Sequence, residues 1–86
     1  MEFSIRFTEE GRETLHKLHI ENQKRIKAGL KELSKNLKLG KELTGRLTGF
    51  SSIHIGKDRA IYSIEGNTIF VHYVGNRKDV YNKFKG

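Results

Sequence analysis

The constraint that bears hardest on this chain lies in its C-terminal half. Three short runs, Ser51–Ile55, Arg59–Ile64 and Thr68–Val74, are separated only by Gly56, Lys57 and Asp58 and then by Glu65, Gly66 and Asn67. Connections that short can reverse a chain but cannot carry a crossover helix, so the runs predict an antiparallel meander. Period-two alternation puts Ile53 and Ile55 on one face of the first run and Ser52 and His54 on the other. In the second run Arg59, Ile61 and Ser63 share a face opposite Ala60, Tyr62 and Ile64. The third, from Ile69 to Val74, is apolar on both sides, which predicts a central strand covered above and below and ended by Gly75.

Upstream, Glu2 to Phe7 also alternates, with Phe3, Ile5 and Phe7 facing inward as in a half-buried strand. Thr8 followed by Glu9 and Glu10 marks a helix start, with a capping hydroxyl and acids at the positive end of the helix dipole. That short helix runs to about Leu18 and buries Leu15 and Leu18. From Ile20 onward, Ile26, Leu30, Leu33 and Leu37 recur at helical spacing, and Lys24, Arg25, Lys27, Lys31, Lys35 and Lys38 form a basic back. Gly40, Gly45 and Gly49 break this pattern, so Lys41, Glu42, Arg46 and Thr48 read as an exposed, mobile loop. A last piece, Asn76 to Phe84, holds Arg77, Lys78, Tyr81 and Lys83 and fits one or two helical turns. The order β-α-α-β-β-β-α predicts an α+β fold: an antiparallel sheet of about four strands, a helical pair on one face and a short helical tail. With 86 residues, positions 1–86 are expected to form a single domain.

Seventeen Lys and Arg against ten Asp and Glu give a formal net charge of +7, which favours a polyanionic partner, nucleic acid above all. The chain has no Cys, and its four His, at 16, 19, 54 and 72, have no partner at metal-site spacing, so neither metal nor cofactor is expected. No long apolar run and no signal peptide point to a membrane or to export, which leaves a cytoplasmic protein as the expectation.

Chemistry concentrates in two places. Ser52, His54 and Arg59 fall on one sheet face, and Arg77 and Tyr81, four apart after the third run, point the same way if helical. Arginine offers paired planar donors to phosphate oxygens and stabilises charge that builds up in a transition state. Cleaving RNA needs little more, because the ribose 2′-OH attacks its own phosphate and the protein orients the backbone, takes one proton and delivers another. His54 and Tyr81 are the candidate proton carriers. Lys31, Lys35, Lys38, Lys41, Arg46, Ser52, Lys57 and Lys78 are candidate RNA contacts. The plainer alternatives are surface ion pairs of Arg59 with Asp58 and of Arg77 with Asp79, a core role for His72, and tail anchoring by Tyr81 and Phe84.

Taken in order, Arg46-Leu47-Thr48-Gly49, the stretch from Ile53 to Tyr62 and the stretch from Val74 to Tyr81 resemble the RelE/ParE toxin superfamily, and the resemblance covers nearly the whole chain. For the RelE branch it implies a ribosome-dependent endoribonuclease that cuts messenger RNA and is held inactive by an acidic, partly disordered antitoxin. For the ParE branch it implies a DNA gyrase inhibitor. The RelE-branch set of two arginines and a tyrosine corresponds here to Arg59, Arg77 and Tyr81. The sequence departs from that branch at Ser52 and His54, where basic residues are usual, and at Asn76, where a His commonly precedes the last Arg. A basic RNA-binding homologue without strong activity therefore stays open beside the nuclease and the gyrase inhibitor.

Overall fold

The computed structural model describes residues 2–76 and 78–86. Strand β1 (Ser4–Phe7) leads into helices α1 (Glu9–His16) and α2 (Ile20–Lys35). Strands β2 (Lys41–Glu42), β3 (Ser51–Ile55), β4 (Asp58–Glu65) and β5 (Thr68–Asn76) follow, and helix α3 (Val80–Lys83) closes the chain. Thr8 caps α1 as its sequence predicts, its hydroxyl accepting from the Gly11 N–H at 3.1 Å, with Glu9 and Glu10 in the first turn. The helix stops at His16 rather than Leu18. In α2 the stripe Ile26, Leu30 and Leu33 is fully buried. That helix ends at Lys35 because Asn36 turns extended, and the Asn36 side chain caps the following 3-10 turn, Leu37–Leu39, by accepting from the Lys38 N–H. Leu37 still packs on the core.

The expected meander is present: β3, β4 and β5 are antiparallel neighbours. The sheet nonetheless has five strands, in the order β1-β5-β4-β3-β2, and it is mixed rather than antiparallel. Strand β1 runs parallel to β5, Ile5 opposite Ile69 and Phe7 opposite Val71. The two helices carry the chain across one face and set it down at the far edge, from which the meander returns to lie beside the first strand. The additional strand, Lys41–Glu42, forms within the segment expected to be a mobile loop. It has no apolar residue; pairing with Ser52 and Ser51, and a 2.9 Å bond from the Leu43 N–H to the Phe50 carbonyl, hold it in place. Strand β5 continues past Gly75 to Asn76, since Gly75 and Asn76 still pair with Arg59 and Asp58.

Ile61 pairs with Tyr73 but Tyr62 with Val71, so His72 is the extra residue of a β-bulge. On the helix side Ile69, Val71 and Val74 join Leu15, the α2 stripe, Ile53, Ala60 and Tyr62. On the other side Leu47, Ile61, Val80 and Phe84 form a second, smaller cluster with Phe50 and Tyr73 around it. The apolar character of β5 on both faces thus has the predicted cause, and α3 with the 3-10 turn Gly45–Leu47 supplies the second cover.

Helix α1 packs directly on the backbone of β5. The Thr8 N–H donates to the Val71 carbonyl at 3.0 Å, and a Cβ on Gly11 would run into that same carbonyl oxygen. The obstacle is strand backbone, which cannot turn aside as a side chain does. Gly11→Ala is therefore expected to destabilise the fold by about 1–3 kcal/mol despite alanine's better helix propensity, read as a lower denaturation midpoint in urea.

Candidate active site

The outer face of the sheet, away from α1 and α2, gathers Ser52, His54, Arg59 and Tyr81. Ser52 and Arg59 stand on adjacent strands, and α3 sets Tyr81 above them. The phenol oxygen of Tyr81 accepts a 2.6 Å hydrogen bond from Arg59 Nη1 and lies 3.0 Å from the Ser52 hydroxyl. The Arg59 guanidinium carbon is 5.4 Å from the Tyr81 ring centre, within cation-π range. Arg59 Nε is buried with no hydrogen-bond partner. His54 faces Arg59 across the β3–β4 pair and is exposed. Arg77 lies outside the described residues.

These groups border a cleft of about 540 Å³ lined by Lys41, Glu42, Leu43, Thr44, Arg46, Leu47, Arg59 and Tyr81. The two-residue strand β2 forms one wall and α3 another. Sequence reasoning missed Leu43 and Thr44, and Glu42 as a wall residue, because the short β2 strand that brings them here has no apolar signature. Among the described residues no three His, Cys, Asp or Glu stand together in a way that could hold a metal ion, and no helix is long and apolar enough to cross a membrane.

The proposed RNA contacts divide. Lys41 and Arg46 line the cleft, whereas Ser52 is buried and tied to Tyr81. Arg46 is already engaged: Nη1 donates to the Phe84 carbonyl at 2.9 Å and Nη2 to the Tyr81 carbonyl. Lys57 is exposed in the β3–β4 turn, and Lys78 in the turn before α3. Lys31, Lys35 and Lys38 are exposed too, but they ride on the helical layer that covers the opposite sheet face, so they are not part of the cleft. The plainer alternative for Arg59, an ion pair with Asp58, is not formed; among the described residues the one ion pair joins Lys83 and Asp79, 4.0 Å apart on the exposed tail.

Two other titratable groups have structural roles. Burial raises the Tyr62 pKa, Glu42 adds to the rise and the Ser51 hydroxyl opposes it, so this phenol stays protonated on the helix side. His72 is half-buried, as its apolar surroundings predict. Its Nε2 lies 2.7 Å from the Ser63 hydroxyl, and its ring meets Phe50 edge-on at 5.1 Å and Phe84 at 6.1 Å. Burial lowers its pKa, partly offset by Glu65 and Glu10. The folded chain thus binds this proton less readily than the unfolded chain, whose imidazole titrates at about 6.5. The contribution of neutral His72 is complete above that value and is lost as pH falls through it towards the lower folded pKa. The melting temperature is expected to drop between pH 7.5 and pH 5, and His72→Gln to flatten the drop; an equal drop in the variant would assign it to other groups.

Solved structures that share this fold include chains of toxin-antitoxin complexes. A chain of the toxin-antitoxin complex RelBE2 from Mycobacterium tuberculosis is 30% identical, with 92% of this chain and 95% of that chain covered and a TM-score of 0.84. The chain described here belongs to the RelE/ParE toxin superfamily. Two further structures share the fold at lower identity. A mutant of the E. coli toxin RelE in the free state is 21% identical over 96% of this chain and 94% of that one, with a TM-score of 0.79. The YoeB dimer of Staphylococcus aureus is 22% identical over 90% and 99%, with a TM-score of 0.71. No protein-family profile and no curated protein sequence matches the chain.

Proposed function

We propose that this chain is the toxin of a type II toxin-antitoxin pair and an endoribonuclease that cuts messenger RNA on the ribosome. The observation that carries this reading is the Arg59–Tyr81–Ser52 cluster at the wall of a basic cleft. Arg59 holds the scissile phosphate, and Arg77, carried over from the resemblance, adds a second cation. The ribose 2′-oxygen attacks phosphorus, the bond to the 5′-oxygen breaks, and a 2′,3′-cyclic phosphate remains. One proton leaves the 2′-hydroxyl and one reaches the departing 5′-oxygen, and Tyr81 and His54 are the two groups beside Arg59 that can exchange them. Charge on the phosphate is met by guanidinium donors fixed before the reaction starts.

The partner is an acidic, flexible antitoxin, since a +7 chain with an open basic cleft suits a segment that orders as it wraps the surface. The test is to induce the chain in cells and map messenger RNA 5′ ends with and without translation. New ends within reading frames that vanish when translation is blocked are the expected result. No new ends together with blocked gyrase would replace this reading with the ParE-like one.

A further inference from the structure

Arg46 was expected to touch RNA, yet its guanidinium points at the protein's own tail. Helix α3 is a single turn, Val80–Lys83, so its last carbonyls have few partners within the helix. Arg46 reaches two of them, on Tyr81 and Phe84, from 35 and 38 residues away in sequence. The 3-10 turn that carries Arg46 also seats Leu47 in the cluster with Ile61, Val80 and Phe84. The apolar anchors fix where the tail lies. The half-buried ring of Tyr81 packs against the same cluster, so apolar contact seats the ring while polar contacts at its two ends hold the backbone carbonyl and the hydroxyl.

We propose that Arg46 is a positioning residue for Tyr81. It clasps the backbone carbonyl of Tyr81 while Arg59 and Ser52 hold the phenol oxygen, so the side chain is fixed at both ends with its hydroxyl at the cleft wall. The planar fork of arginine suits two carbonyls at once, which an ammonium group on its flexible stem cannot match. The site is sensitive to this, because a displacement of about 1 Å can cost on the order of a hundredfold in rate. The role in catalysis rests on the proposed nuclease reading; the clasp itself does not.

The test has two arms, run on the full chain. In hydrogen exchange, the amides of Lys83 and Phe84, which bond to Asp79 and Val80, are expected to lose protection in Arg46→Ala, to keep only part of it in Arg46→Lys, and to keep all of it in Tyr81→Phe. In single-turnover cleavage at saturating ribosomes, Arg46→Ala is expected to slow the rate roughly tenfold to a hundredfold with little change in half-saturation. Arg46→Lys should recover only part of it. Arg46→Ala combined with Tyr81→Phe should be no slower than Tyr81→Phe alone, since both act through one group. Unchanged tail protection, with weaker half-saturation and additive effects in the double variant, would make Arg46 an RNA contact and overturn the proposal. If the unmodified chain cuts no RNA, the nuclease reading fails, and the exchange arm still decides whether Arg46 holds the tail.

Discussion

Arg59→Ala is expected to slow single-turnover cleavage on translating ribosomes by roughly a hundredfold or more, with ribosome affinity changed far less. The guanidinium stands on β4 between the cleft and Tyr81, with Nη1 on the phenol oxygen and Nε buried without a partner. Arg59 also lines the cleft, where a phosphate oxygen would gain a charge-assisted bond from the guanidinium. The interaction grows as charge develops on the phosphate, so its loss falls on the rate rather than on binding. Arg59→Lys keeps the charge but not the planar fork and is expected to recover only a small part of the rate. Circular dichroism and the melting temperature separate this from misfolding, since Arg59 is half-buried and its removal opens a gap under Tyr81. A variant that stays folded and cuts at the full rate would remove Arg59 from the proposed site.

Much of this site follows from period-two alternation alone. Ser52, His54 and Arg59 share the outer face because β3 and β4 are regular, and no distant contact is needed to orient them. Helical spacing from Arg77, and then the resemblance, add Tyr81 to that set, and the structure brings its hydroxyl onto both Arg59 and Ser52. What escaped the sequence depends on partners far along the chain. Lys41 and Glu42 become a strand only because Ser51 and Ser52 offer an edge to pair with. The parallel neighbour of β1 is decided by where the helices deliver the chain, and nothing in Ser4–Phe7 itself encodes it. His72 and Tyr73 both reach the second apolar cluster because of the bulge, which strict alternation does not contain. Arg46 reads as a free surface cation until its carbonyl partners in the tail are in place.

Tyr81→Phe is expected to slow the bound-state rate by roughly a hundredfold if the phenol exchanges the proton, the lower end of what a positioned acid or base contributes. The substitution keeps the ring, and with it the contact under the Arg59 guanidinium, so it removes one oxygen and little packing. That oxygen also accepts from Arg59 and meets the Ser52 hydroxyl, so part of any loss could come from slack in the cluster. Ser52→Ala measures that part: it deletes one of the two bonds to the phenol oxygen and leaves the phenol itself intact. A chemical role for Tyr81 requires Ser52→Ala to cost several-fold at most while Tyr81→Phe costs far more. Equal losses in the two variants would reduce Tyr81 to a strut for Arg59. In that case His54, exposed beside Arg59 on the neighbouring strand, takes the proton, and His54→Gln should then show the large loss that Tyr81→Phe does not.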